Sequence, residues 1–280
     1  MKVSIVIPVY NEAERLDACL RSIAAQSTAA YEVIVVDNNS TDMSVSIARR
    51  YPFVKLLHES RQGVVHARNR GFDAAGGGII GRIDADTVLS VGWVAQVQAL
   101  FAADPAMSAV SGAVHYYDVA MARLADSIDL HIRAHLSPRM GTSRFLFGAN
   151  MAVRRSAWRR VRSELCNLSD LYEDCDLAIH LQAHGLGVTY EPQLLAGVSS
   201  RRIDTGFRAY LHYSLMWPHT YARHRLRARY HLYPVLVVCW AVYLPARLIY
   251  RGCNPETGTF SLSRLLRATT PRVDPTTNVA

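Results

Sequence analysis

Residues 78–89 read GIIGRIDADTVL, an apolar run that stops on two aspartates, Asp84 and Asp86, with only Ala85 between them. Side chains at i and i+2 of a strand share a face, so at a strand's end both carboxylates turn toward solvent at one sheet edge. At roughly 4 Å and an effective dielectric near 20 they repel by about 4 kcal/mol, which calls for a cation or hydrogen-bond donors nearby. Hard oxygen ligands suit Mg²⁺ or Mn²⁺. A bare DxD is more often a pair of loop or capping aspartates, so its surroundings decide its meaning.

Working outward, the stretch ends a series. Val3 to Val9 is a continuous β-branched run, as expected for a strand buried on both faces, and Leu16, Cys19, Leu20 and Ile23 follow at helical spacing. The unit then repeats: strand Glu32 to Val36, a DNNSTD loop from Asp37 and helix Met43 to Arg50; strand Val54 to Leu57 and helix Val64 to Ala75; strand Ile79 to Ile83. Such alternation predicts an α/β fold, a doubly wound and mostly parallel sheet with helices on both faces. Ligands in such sheets collect outside the carboxyl ends of the strands, where Asp37 and the Asp84/Asp86 pair both stand. Beyond them, Trp93 to Phe101 reads as an amphipathic helix closed by Asp104-Pro105, and Ala109 to Tyr117 as another strand.

Composition narrows the setting. The 280 residues are 50% hydrophobic and 19% charged, which excludes wholesale disorder, and a net charge of +8 favours anionic partners. Five scattered cysteines show no CxxC and no ligand-like clustering, so neither a disulfide framework nor a zinc site is expected, and the location is read as cytoplasmic. The opening apolar run is too short for a signal peptide.

Five ordered blocks now carry a resemblance: VSIVIPVYNEAERLDACLRSI (3–23), VIVVDNNSTD (33–42), GVVHARNRGFDAAGGGIIGRIDADT (63–87), FLFGANMAVRRSAW (145–158) and EDCDLAIHLQAHG (173–185). Together they resemble the GT-A glycosyltransferases of the large family 2 type, inverting enzymes that use nucleotide sugars. The resemblance implies a GT-A fold with a Rossmann-like nucleotide-binding half over residues 1–204; over 205–280 the texture of the sequence itself changes to a helical, basic and apolar extension. It implies a donor that is a nucleoside-diphosphate sugar, UDP- or GDP-linked, and a divalent metal, Mg²⁺ or Mn²⁺.

Site roles follow from the same match. Pro8, Tyr10 and Glu12 would line the base and ribose; Tyr10 offers a stacking face, though a packing aromatic looks the same. Asp37 would read the base as a hydrogen-bond acceptor, with Asn38, where many relatives have a second acid, beside it or only capping a helix. Arg68 would contact diphosphate or ribose, unless it is a solvated helix arginine. Asp84 is matched to the ribose and metal-adjacent acid and Asp86 to the metal ligand. Gly148, Ala149 and Asn150 match a segment near donor sugar and acceptor, where glycine lets backbone approach a ligand. Asp170 with Glu173 reads as a capping box, so Glu173 and Asp174 occupy a first helical turn, where acids ordinarily complement the dipole. In the family the second acid of ED is the general base, here Asp174, with Glu173 beside it.

Departures from the pattern are visible too. His180 stands where relatives often have arginine, and GVSSRR (197–202) lacks a histidine found in many relatives; Ser199, Ser200, Arg201 or His212 are the substitutes in reach. The uncharged run Leu232 to Ala246, bracketed by Pro234 and Pro245, spans about 22 Å as a helix, short of a roughly 30 Å hydrocarbon core. With the preceding arginines 223 to 229 it suits peripheral membrane contact and a lipid-linked acceptor, or else a helix packed on the catalytic unit. No nucleic-acid motif accompanies the basic cluster, so nucleic acid is not an expected partner. Two other classes compete. A sugar-phosphate nucleotidyltransferase should carry a glycine-rich basic loop after strand one, which PVYNEAER lacks; a non-catalytic nucleotide-binding protein has no need to keep Asp84, Asp86 and Asp174 together.

Overall fold

The computed structural model describes residues 1–139, 145–168 and 170–266. The expected alternation is present: β1 (Val3–Val9), α1 (Ala13–Ala24), β2 (Glu32–Asp37), α2 (Ser44–Arg49), β3 (Val54–His58), α3 (Val64–Ala74) and β4 (Ile79–Arg82). After β5 (Val88–Leu89) come α4 (Trp93–Ala103), β6 (Met107–Tyr116), α5 (Ala122–Arg139), β7 (Met151–Arg154), α6 (Arg155–Val161), α7 (Glu173–Ala183) and β8 (Gly187–Val198). A short 3-10 helix, Arg201–Asp204, leads into α8 (Phe207–Arg223), α9 (Arg229–Gly252) and α10 (Leu262–Leu265). Residues 267–280, the end of the expected extension, lie outside the described residues.

One eight-stranded sheet runs β3-β2-β1-β4-β7-β6-β8-β5. Its first four strands are parallel, as is the β6–β8 ladder, while β7 and β5 run antiparallel to their neighbours. The chain leaves β1 toward β2 on one side and returns at β4 on the other, so β1 and β4 flank a switch point whose carboxyl ends open a crevice. Pro8 to Glu12 and Arg82 to Ala85 issue into that crevice.

Period-two alternation along β1 feeds two cores. Val3, Ile5, Ile7 and Val9 pack with Leu16 and Leu20 of α1 and Trp93 and Phe101 of α4. Val6 faces the other layer, with Phe72 of α3, Trp158 of α6 and Leu177 of α7. Each fully buried Ile or Val contributes about 1.5–3 kcal/mol relative to exposure. Close helix–sheet contact has one strict requirement: a Cβ at Gly71 would lie 2.3 Å from Val6 Cγ1, so α3 sits on β1 only because residue 71 is glycine.

Two sequence expectations about helix ends change. Helix α7 is capped by Tyr172 with no side-chain cap bond, so Asp170 and Glu173 form no capping box; Tyr172 instead donates its N–H to Thr220 Oγ1 and its hydroxyl to the Tyr213 carbonyl. Helix α9 runs through Pro234 and Pro245 rather than stopping at them. Its 24 residues extend about 36 Å, longer than the bracketed run. The helices after residue 205 are tied to what precedes them by Arg247 Nε to Asp204 Oδ1 at 2.9 Å and to one another by Trp240 Nε1 to Ser214 Oγ at 2.9 Å.

Candidate active site

The crevice is open to solvent and holds about 110 Å³ of space that water can enter. Pro8, Tyr10, Glu12 and Asn38 line one end, Arg82, Asp84, Gly148, Glu173 and Asp174 the middle, and Arg202, Tyr213 and Met216 the far wall. The loops that shape it depend on two asparagines with positive φ, Asn11 (52°) and Asn39 (66°), at the ends of β1 and β2. Asparagine tolerates that region better than most residues. Asn11 Oδ1 accepts the Thr41 N–H at 2.8 Å and so holds the two loops together.

Asp84, Glu173 and Asp174 come from segments far apart in the chain and meet here around one cation. Arg82, nearly buried on β4, reaches Asp84 Oδ1 at 3.0 Å and Glu173 Oε1 at 2.9 Å. Asp174 Oδ2 accepts the Gly148 N–H at 2.7 Å, and Oδ1 accepts the Cys175 N–H at 2.8 Å. Burial, then the charge of Glu173, push the Asp174 carboxyl up to about 6, against the pull of Arg82 and those two N–H groups. Gly148 is confined from both sides, since a Cβ there would lie 1.3 Å from Arg82 Nη1.

Asp86 is buried and faces Arg201, whose Nε and Nη2 lie 3.2 and 3.1 Å from Asp86 Oδ2 while Nη2 also holds Glu12. The repulsion expected of the DxD pair is thus offset by one guanidinium for each carboxylate. Asp84 and Asp86 nevertheless open on a common second cavity. Their all-oxygen donor set fits a hard divalent cation, which on binding would displace Arg201 from Asp86.

Several residues singled out in the sequence stand elsewhere. Arg68 is fully buried beneath the crevice, bonded to Asn69 Oδ1 (2.8 Å) and the Glu173 carbonyl (3.3 Å) and stacked near Trp158. Burial lowers its guanidinium to about 10. It props the ED helix from below and is absent from the crevice lining. Asn150, also fully buried, bonds Trp93 Nε1 and the Ala113 and Leu194 carbonyls, so it cross-links β6, α4 and β8 instead of meeting a sugar. Asn38 lines the crevice, but its amide is engaged by the Glu59 and Arg61 carbonyls and the Gly63 N–H. Asp37 is absent from the lining; it accepts from Ser40 N–H and sits 3.2 Å from His58 Nδ1. His212 lies on exposed α8 surface.

Sequence reasoning missed Arg82, although a charged residue inside the buried strand before DxD was a signal available in the quoted stretch. It also missed Arg202, held with its guanidinium 3.5 Å above the Tyr213 ring at the junction of both cavities. Tyr172, Tyr213 and Met216 gave no signal, because their place depends on how α8 folds back.

The second cavity, about 520 Å³, adjoins the first across Asp84, Phe147, Ala149, Arg202 and Tyr213. Its walls are apolar: Val119, Leu124 and Ile128 beside or on α5, and Val242, Ala246 and Ile249 on α9.

Residues 4–162 match the family model described as glycosyl transferase family 2. Among curated relatives, the uncharacterized glycosyltransferase YibD of Escherichia coli K12 is 40% identical over 89 residues, 30% of this chain and 26% of that protein. Glycosyltransferase AglE of Haloferax volcanii is 40% identical over 91 residues, 30% of each chain. The matches therefore span about a quarter to a third of these relatives' length. By structure, the mannosyltransferase PcManGT of Pyrobaculum calidifontis, solved with GDP-Man and Mn²⁺, aligns at TM-score 0.64 and 21% identity over 94% of this chain and 77% of its own. Glucosyl-3-phosphoglycerate synthase of Mycobacterium tuberculosis, solved with Mn²⁺, UDP-Glc and phosphoglyceric acid, aligns at 0.54 and 19% over 77% and 78%. At these identities the structures share the fold.

Proposed function

The chain belongs to glycosyl transferase family 2, and from that premise we propose that it moves a sugar from a UDP- or GDP-linked donor to an acceptor hydroxyl with inversion, residues 1–204 forming the catalytic unit. The observation that carries this reading is the meeting of Asp84 and Asp174 in one crevice, joined through Arg82 and Glu173. Pro8, Tyr10 and Glu12 receive the base and ribose, with Asp37 and Asn38 shaping the loop behind them. Asp84 and Asp86 would hold Mg²⁺ or Mn²⁺, which would supply Lewis-acid stabilisation of a departing diphosphate. Arg202 and Arg201 complete the anion site, taking the place first assigned to Arg68.

Asp174 takes the proton from the acceptor hydroxyl as that oxygen bonds to the anomeric carbon. The bond from that carbon to the diphosphate oxygen breaks on the opposite face, and the nucleoside diphosphate leaves with the electron pair. A carboxyl raised to about 6 is ionised at neutral pH yet more basic than an ordinary aspartate. The N–H donors of Gly148 and Cys175 fix its direction, and Gly148 brings backbone beside the sugar.

The second cavity favours an acceptor with an apolar portion, which we assign to a lipid-linked molecule. It opens directly on the proposed metal acids, and its rim exposes Met121 (48%), Leu124 (51%) and Ile128 (51%) beside or on α5 and Val242 (50%) on α9. Outward from it α9 also exposes Val237, Val238, Leu244 and Leu248, and Arg223, Arg225 and Arg227 stand exposed just before it. An apolar face flanked by arginines suits peripheral attachment of the 205–280 extension to an anionic membrane surface, on its cytoplasmic side.

A panel of UDP- and GDP-sugars with Mg²⁺ or Mn²⁺, scored by nucleoside diphosphate release with and without a polyprenyl or acyl-linked acceptor, tests both parts. Acceptor-dependent release abolished by Asp174→Asn is expected. Transfer that survives Asp174→Asn overturns the base, and equal transfer to acceptors with and without the apolar tail overturns the lipid assignment.

A further inference from the structure

A second cluster of ligating side chains lies on the far side of the ED helix. Cys166, Asp176, His180 and His224 bring a thiol, a carboxylate and two imidazoles within 4.8 Å of one another. They come from three separate segments: the turn after α6, one face of α7 at i and i+4, and the C-terminal cap of α8. The scattered spacing explains why the cysteine pattern in the sequence pointed away from a zinc site. Only the fold brings the ligands together.

Hydrogen bonding alone leaves this cluster incomplete. Asp176 is fully buried; its Oδ2 accepts the Cys166 N–H at 3.0 Å. Its Oδ1 lies 2.7 Å from His224 Nε2 and 3.6 Å from His180 Nε2. An ion pair between Asp176 and His224 would satisfy one imidazole, and that is the simplest alternative. His180 Nε2 would remain buried without a hydrogen-bond partner, as it is here. An orphaned buried polar atom costs about 1–3 kcal/mol.

We propose that Cys166, Asp176, His180 and His224 bind one tetrahedral divalent metal ion of the zinc type. One ion takes a lone pair from each imidazole, the thiolate and the carboxylate, and no buried nitrogen is then left over. The mixed sulfur, nitrogen and oxygen set selects zinc over the magnesium or manganese suited to Asp84 and Asp86. Ligand atoms at about 2.0–2.3 Å from a tetrahedral ion stand about 3.3–3.8 Å apart. The 2.7 Å contact must open and the widest spacing must close, changes within side-chain rotation. Glu164 supplies an outer carboxylate, with Oε2 3.9 Å from His180 Nδ1 and Oε1 2.8 Å from His184 Nε2. Binding releases the Cys166 thiol proton to solvent.

Such an ion is structural. It fastens α7, two residues from Asp174, to α8, which supplies Tyr213 and Met216 to the crevice wall. Asp174 and the far wall of the crevice then move as one body.

Cobalt is the probe. Full-length protein, stripped with chelator and titrated with Co²⁺, should take up one equivalent with tetrahedral d–d bands and a thiolate-to-cobalt charge-transfer band, both abolished by stoichiometric Zn²⁺. The charge-transfer band should persist in Asp86→Asn, be lost in Cys166→Ser, and need at least about 100-fold more Co²⁺ in His180→Gln, beyond the range for an outer-shell partner. Circular dichroism confirms that each variant is folded, and His180→Gln serves if Cys166→Ser is not. Absence of the band in wild-type protein, or its survival in folded Cys166→Ser, overturns the proposal.

Discussion

The two adjoining cavities differ in how they are built. The crevice proposed for the donor is made from strand ends and closed by paired charges, Arg82 with Asp84 and Glu173, Arg201 with Asp86 and Glu12. The second cavity is made from helix faces, is lined mostly by apolar side chains, and meets the first at Arg202 and Tyr213. Chemistry that must hold phosphates and move a proton needs fixed charges at set positions. A surface that receives an apolar tail needs only shape and hydrophobicity, so it constrains residue type far less.

The contrast can be broken most severely at its polar centre. Asp174→Asn should reduce acceptor transfer about 10²–10⁴-fold, with donor affinity from calorimetry changed little. A raised carboxyl pKa also means that ionising Asp174 opposes folding. The native state holds that proton more tightly than the unfolded chain, so this group's contribution to stability falls as pH rises from about 4 to about 6. Thermal melts of the Asn variant should lack that loss and match or exceed wild type at about pH 7.5. A lower melting temperature there would show that its two N–H bonds outweigh the burial penalty.

Gly148→Ala drives a methyl into the Arg82 guanidinium, which two acids hold in place. Transfer should fall about 100-fold through misplacement of the base, accompanied by about 1–3 kcal/mol of destabilisation in urea titration. Next comes pH itself: below about 6, kcat/KM should drop about tenfold per unit as Asp174 protonates, and level off above. Glu173 and Arg82 are the charged groups that can shift this midpoint. The smallest effect belongs to the apolar side. Val242→Glu should raise KM for a lipid-linked acceptor several-fold and lower flotation of the full chain with anionic vesicles, leaving donor hydrolysis unchanged. Reduced hydrolysis would mean that the cavities are one site.

What could be foreseen from the sequence follows the same divide. The β1–α1–β2 alternation, the DxD and the ED helix were legible because strands buried on both faces demand continuous β-branched runs, and acids at their ends are conspicuous. Arg68 and Asn150 misled, since a motif gives position along the chain but not the side of the sheet. Arg68 points beneath α7, and Asn150 points into the space between β6 and β8. The tyrosines of α8 and the Cys166 cluster were invisible, because contacts between helices after residue 205 and α7 leave no local pattern.

The two prolines of α9 set a limit on where that helix can lie. They are eleven residues apart, close to three full turns, so both fall on one side, and that side is exposed. Proline has no N–H, so the carbonyls of Tyr230 and Ala241 lose their donors four residues ahead. Oil is a poor home for such oxygens, at a cost of several kcal/mol each. Where the apolar side chains of this same face meet a bilayer, as proposed, the two carbonyls would hold the rod of about 36 Å at the level of the hydrated headgroups.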